Sequence, residues 1–179
     1  MQAKKPSDSL NIQTELIMPG QTNPLGNLMG GNLLRWMDVA AGISALKHAG
    51  HIAVTVSVDN VSFKAPIKVG DVVTIKSFVT RAFNTSMEVF CEVMVENIEL
   101  GTKILSHTAF FTFVSLDKEG NTIKVVPITP DTKQEVELFE GALRRREMRL
   151  ILAGKLKADE AHSCLLYTSD AADEAKWVY

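Results

Sequence analysis

Apolar residues recur at helical spacing between residues 30 and 50. The residues on one side of such a helix are Leu33, Leu34, Met37, Ala41 and Ala45. The other side is also largely apolar, through Trp36, Val39, Ala40 and Ile43. The pattern predicts a helix that begins at Gly30-Gly31, ends near a Gly50 cap and is buried on nearly all sides, so other elements must wrap around it.

One acidic residue, Asp38, interrupts this apolar helix. A carboxylate is costly to bury unless it is paired or takes part in chemistry. Asp38 is therefore the leading catalytic candidate, and the alternative is a buried carboxylate that the neighbouring backbone satisfies.

The segments around the helix alternate between apolar and polar residues, which is typical of strands. The alternation changes phase near Asp59-Asn60, which predicts a bulge in the second strand. The fourth strand has one apolar face and is expected to be half-exposed, whereas the fifth is apolar on both faces and is expected to be central. The five predicted strands cover residues 10–18, 52–63, 73–79, 86–96 and 104–116.

The order of these elements predicts an α+β fold in which one antiparallel sheet wraps around the long buried helix. A parallel doubly wound sheet would need a helix after most strands, and the sequence lacks them. We expect the main domain to cover residues 8–125, followed by a C-terminal helical extension over 126–162 with its helix at about 131–152.

Residues 163–179 are set apart from this pattern. The sequence from Cys164 to Glu174 resembles the translation of a transposase-type sequencing adapter. We interpret this segment as a non-native, adapter-derived tail and exclude it from the fold prediction.

Composition narrows the functional classes. The chain has 179 residues, is 46% hydrophobic and 22% charged, and carries a net charge of −2, so nucleic acid and anionic membranes are not expected partners. Its two cysteines form neither a disulfide framework nor a metal-ligand pattern. Residues 1–9 contain no apolar signal-peptide core, and we therefore expect a cytoplasmic protein. Because neither the cysteines nor the histidines have metal-ligand spacing, we expect no metal, and we expect no cofactor.

Several motifs together resemble the acyl-CoA thioesterases of the hotdog fold. The loop 23–31 (NPLGNLMGG) is followed by 36–42 (WMDVAAG) within the helix, and 58–63 (VDNVSF), 69–71 (VGD), 84–89 (NTSMEV) and 110–114 (FFTFV) follow in the family's order. The resemblance covers about residues 8–150. It implies an acyl-CoA thioester hydrolase in which Asn23 and Asp38 are the catalytic pair.

The chemistry of thioester hydrolysis fits these residues. Asp38 would act as general base or as nucleophile, and the sequence leaves both open. Backbone N–H groups at a helix N-terminus can hold an oxyanion, so Gly31 is the expected donor. Asn23 would donate through its amide or orient the water, although it could instead form an Asx-turn before Pro24, and Asn27 is a rival in the same loop.

Four residues are candidates for contacts with the coenzyme A part of the substrate: Lys64, Arg81, Ser86 and Arg144. The run 144–146 (RRR) is by default a solvated helix face, and contact with the coenzyme A phosphates is the alternative. His48, His51 and His107 lack metal-ligand spacing and are expected to be structural or on the surface.

Two rival functions remain. A hotdog hydratase or dehydratase would need a catalytic histidine, but the first one, His48, lies at the far end of the helix. A non-catalytic acyl-CoA binding protein would normally carry an output domain, and residues 1–9 are too short for one.

The resemblance also implies a homodimer of hotdogs that assembles into a trimer of dimers. In that dimer one chain supplies Asn23 and Gly31 and its partner supplies Asp38.

Overall fold

The predicted central helix is present, with the predicted ends. The computed structural model describes residues 2–63, 65–157 and 160–161, except for the side chains at 60, 62 and 63. Helix α1 spans Gly30–Ala49 without a break, and Gly50 ends it in the left-handed conformation, at φ +70°. Glycine adopts this conformation without the steric cost that a side chain imposes, so Gly50 stops the helix where the sequence predicts.

Five antiparallel strands form one sheet in the order β1-β3-β4-β5-β2. A second helix, α2, covers Lys133–Leu152. Short 3-10 turns at Pro6–Ser9 and Pro19–Gln21 flank the first strand. The strands are β1 Asn11–Leu16, β2 Ile52–Phe63, β3 Val72–Ala82, β4 Ser86–Asn97 and β5 Thr102–Leu116. This arrangement confirms the predicted α+β hotdog architecture.

The core lies between α1 and the inner face of the sheet. Leu33, Met37 and Ala41 of the helix are buried against β3, β4 and β5, which contribute residues such as Ile75 and Phe111. The prediction that α1 is buried on nearly all sides was wrong for one face. Val39 and Leu46 are 46% and 47% exposed, because the sheet of a single chain covers the helix from one side only.

Helix α2 lies against the outer face of the sheet. Its Arg145 binds the outward side chain of Glu88 on β4, which is 1% exposed. Phe90 on the same face of β4 is 7% exposed and packs against the rings of Phe78 and Phe110 on the neighbouring strands. The prediction of a half-exposed fourth strand was therefore wrong over this part. Strand β5 is internal as expected, but the middle strand of the sheet is β4.

Strand β2 forms one edge of the sheet, and within the described residues it pairs only with β5. The predicted bulge is present between Asp59 and Ser62, and a second irregularity lies between Thr55 and Ser57. Four apolar side chains of this strand are exposed: Ile52, Val54, Val56 and Val58. An edge with unpaired backbone groups and apolar side chains is suited to pairing with another strand. In the described part of the chain, no helix is long and apolar enough to span a membrane.

Candidate active site

The loop before α1 is folded around the side chain of Asn23. Its Oδ1 accepts hydrogen bonds from the backbone N–H groups of Leu25, at 3.0 Å, and Asn27, at 3.2 Å. Backbone bonds between Asn23 and Asn27 and between Gly26 and Asn23 close the same turn. The Asx-turn foreseen as the alternative for Asn23 is thus formed. Because Oδ1 is engaged, the amide Nδ2 is the group that Asn23 can offer to a ligand.

The N-terminus of α1 is open. Its N-cap, Met29, makes no side-chain capping bond, and Gly30 and Gly31 are exposed. A Cβ at Gly31 would meet nothing within 4 Å, so a substrate group could approach the backbone closely. The first N–H groups of a helix lack intrahelical partners and lie at the positive end of the helix dipole. The Gly31 N–H is therefore available as an oxyanion donor.

Asp38 lies on α1 beside strand β2 and is half-buried, less enclosed than the sequence predicts. Its Oδ1 accepts a hydrogen bond of 2.8 Å from the hydroxyl of Thr55. Beneath it, burial raises the pKa of the Cys91 thiol, and the nearby charge of Asp38 raises that pKa further. Cys91 is therefore a protonated residue of the core. The hydroxyl of Thr55 fixes the position of the Asp38 carboxylate.

Sequence reasoning missed Thr55. Strand alternation could have found it, because Ala53 packs against the core and Thr55 lies two positions further along the strand. The two partners are 17 residues apart in sequence, so no local motif joins them.

Gly31 and Asp38 are separated along one helix. Seven residues at 1.5 Å per residue place them about 10 Å apart along the axis of α1. A carbonyl group must lie about 3 Å from its oxyanion donor and close to the base or its water. One copy of α1 is therefore poorly suited to bring both groups to the same carbonyl.

A cleft of about 260 Å³ opens beside the start of α1. Gly30 and Pro66 are exposed at its mouth, whereas Leu33, Ile67 and His107 are nearly completely buried and form its floor. Asn27, Leu28 and Ala65 complete the lining. His107, for which the sequence favours a structural or surface role, therefore faces a cavity next to the helix N-terminus.

The four coenzyme A candidates do not lie in one place. Arg81 stacks on the ring of Phe139, 4.1 Å from its centre, and donates to the Phe139 carbonyl at 2.9 Å; burial lowers its pKa. Ser86 begins β4, and Arg144 lines a separate cavity of about 430 Å³ between α2 and β2. Lys64 lies outside the described residues.

Comparison with known proteins supplies the family. The sequence profile of the thioesterase superfamily matches residues 25–102. An uncharacterized acyl-CoA thioester hydrolase of Bacillus subtilis is 37% identical over 142 residues, which are 79% of this chain and 83% of that protein. The chain thus belongs to the acyl-CoA thioester hydrolases of the thioesterase superfamily.

Solved structures agree with this family. An apo-hexameric acyl-CoA thioesterase superposes with a TM-score of 0.83 at 38% identity, covering 86% of this chain and 98% of the other. An acyl-CoA hydrolase of Staphylococcus aureus, solved in complex with butyryl coenzyme A, coenzyme A and coenzyme A disulfide, superposes with a TM-score of 0.80 at 32% identity. The match covers 86% of this chain and 96% of the other. The chain spans about a quarter of the length of the mouse and rat relatives that it also matches.

Proposed function

We propose that this protein hydrolyses acyl-CoA to a free carboxylic acid and coenzyme A, with Asp38 as base or nucleophile. The observation that carries the proposal is the 2.8 Å hydrogen bond that holds Asp38 next to the open face of α1. A carboxylate that is fixed but still accessible suits attack on a carbonyl better than a core ion pair does.

The Staphylococcus aureus hydrolase supports the same residues. Alanine variants of that enzyme have been made at one aspartate, one threonine and one asparagine. Their spacing in its sequence equals the spacing of Asp38, Thr55 and Asn23 here. We therefore place Thr55 in the site as a positioning residue for Asp38.

The reaction follows from these groups. As a general base, Asp38 would take a proton from a water molecule while the water oxygen attacks the thioester carbonyl. The Gly31 N–H and the Asn23 amide would hold the oxyanion, and collapse of the tetrahedral intermediate would break the C–S bond. As a nucleophile, Asp38 would itself attack the carbonyl and form an anhydride that water then cleaves. The thiolate leaves readily in both routes and takes up the proton afterwards.

We further propose that two copies of the chain share each site. Gly31 and Asp38 lie about 10 Å apart along one α1 helix. If two α1 helices pack side by side around a two-fold axis, Gly31 of one chain can lie close to Asp38 of the other. The exposed apolar residues Val39 and Leu46 of α1, together with the open edge of β2, provide a surface for this contact. The hexameric relative supports assembly of such dimers into a trimer of dimers.

The coenzyme A moiety is proposed to contact the basic surface around α2. Arg144 lines its cavity together with Arg149, which also forms an ion pair of 2.8 Å with Asp59. Ser86 could donate its hydroxyl to a phosphate, and Arg81 retains further N–H groups beside its bond to Phe139. Lys64 stays a candidate from the sequence.

The test measures thiol release from a panel of acyl-CoAs between acetyl and palmitoyl. Asp38→Ala should lower kcat by about 10²- to 10⁴-fold while circular dichroism shows an intact fold. Glu119→Ala, which removes an exposed acid in a turn, is the matched control and should keep full activity. Activity of Asp38→Ala within a few-fold of the unsubstituted protein would contradict the assignment. A hydratase or a simple binding protein would release no thiol at all.

A further inference from the structure

The cleft beside α1 has a direction. Exposure falls from Gly30 and Pro66 at the mouth to His107, Leu33 and Ile67 at the floor, which are 2%, 2% and 3% exposed. Gly30 at the mouth directly precedes Gly31, the proposed oxyanion donor. A thioester carbonyl held at Gly31 would therefore lie at the entrance, and a group attached to it could extend towards the floor.

The lining fits an aliphatic chain along most of this path. Leu28, Leu33, Pro66 and Ile67 are apolar, and burial of methylene groups against such side chains is favourable. The inner end is different, because the imidazole of His107 forms part of the floor. A methylene pressed against this ring would meet a polar group instead of an apolar one, which is less favourable.

The cleft is open to solvent at its mouth, so its size gives a scale for the bound group and the buried His107 at its inner end would set the limit. A volume of about 260 Å³ holds roughly eight or nine groups of the size of a water molecule or a methylene, at about 30 Å³ each. Resting on the proposed function, we propose that this cleft receives the acyl chain and that His107 at its floor restricts the substrates to short and medium acyl groups of up to about eight carbons.

The inference predicts a chain-length profile. With the unsubstituted protein, kcat/KM should rise by up to about fourfold per added methylene as far as octanoyl-CoA, and should fall for lauroyl- and palmitoyl-CoA. His107→Ala removes the ring from the floor and should move the optimum about two carbons longer. His107→Asn, which keeps a polar side chain, should produce a smaller shift in the same direction.

Two further variants separate specificity from stability. His48→Ala removes another buried histidine, at the opposite end of α1, and should lower the melting temperature without changing the profile. Ala65 is half-buried in the wall of the cleft, so Ala65→Val narrows the cleft and should lower kcat/KM for octanoyl-CoA relative to that for butyryl-CoA. The Ala65 variant keeps the inference testable if neither His107 variant folds.

The chain-length profiles of these variants decide whether the acyl chain occupies the cleft. A longer optimum in a folded His107 variant, or a shorter one in Ala65→Val, supports the inference. An unchanged profile in these variants would overturn it, and so would palmitoyl-CoA as the best substrate of the unsubstituted protein. An equal change in KM for every chain length would also overturn it, because that result would place the pantetheine arm in the cleft. Absence of thiol release from all acyl-CoAs would instead contradict the proposed function.

Discussion

The contact between α2 and the sheet depends on a buried ion pair, and its removal should be strongly destabilising. Glu88 is 1% exposed, and its two carboxylate oxygens accept bonds of 2.9 and 2.8 Å from Nε and Nη2 of Arg145. The hydroxyl of Thr80 also donates to Oε1, at 2.6 Å. The guanidinium donates to the Leu138 carbonyl and lies 3.8 Å from the ring centre of Phe110.

Arg145→Ala would leave the Glu88 carboxylate buried without its cationic partner. Loss of one member of a buried pair typically costs about 3–5 kcal/mol. A protein of this kind is stable by about 5–15 kcal/mol in total. With a urea m-value of about 1–3 kcal/mol per molar, the unfolding midpoint should fall by roughly 2 M. Equilibrium urea unfolding, followed by circular dichroism, measures this shift.

Two controls separate the buried charge from the loss of a side chain. Lys133→Ala breaks an exposed pair with Glu137 and should change the free energy of unfolding by less than about 0.5 kcal/mol. The double variant Glu88→Gln with Arg145→Met removes both charges and should recover much of the stability lost in Arg145→Ala. A loss below about 1 kcal/mol in Arg145→Ala would refute the reasoning.

Three other predictions concern the site, pH and the tail. Thr55→Val removes the hydrogen bond to Asp38 and should lower kcat about 10- to 100-fold with little change in KM, whereas Thr55→Ser should retain most of the activity. Equal losses of activity in the two variants would exclude a positioning role. Burial lowers the pKa of His48, whose Nε2–H donates to the Val126 carbonyl, so the unfolded state binds more protons as the pH drops below 6.5. The free energy of unfolding should therefore fall as the pH drops through that value, less steeply in His48→Gln, and parallel pH profiles of the two proteins would contradict this. Truncation after His162 should change neither thiol release nor the melting temperature, because the sequence from Cys164 to Glu174 resembles adapter sequence and the tail 163–179, which lies outside the described residues, is interpreted as non-native. Loss of soluble protein would show that the tail is needed.

The fold could be predicted from local patterns because each element carries its own signal. Gly30-Gly31 and Gly50 mark the ends of α1, and the change of phase near Asp59 marks the bulge in β2. The position of α2 could not be predicted in this way. Glu88 and Arg145 are 57 residues apart, and neither residue type in its own element indicates that the two meet.

The candidate site was predictable only in part. Asp38 stood out because a carboxylate is unusual in an apolar helix, and Gly31 because helix N-termini bind anions. Thr55 and His107 reach the site through contacts that form only when strands pair and pack against α1. Such long-range contacts leave no periodic trace in a single sequence.

The most direct test of the shared site mixes two inactive proteins, Asn23→Ala and Asp38→Ala, and lets their subunits exchange. With random exchange half of the dimers are mixed, and each mixed dimer has one site with both lesions and one with neither. Thiol release should then return to about a quarter of the activity of the unsubstituted protein. If every site used residues of one chain only, all sites in the mixture would carry a lesion. Absence of any recovery after exchange has been verified by native mass spectrometry would contradict the shared site.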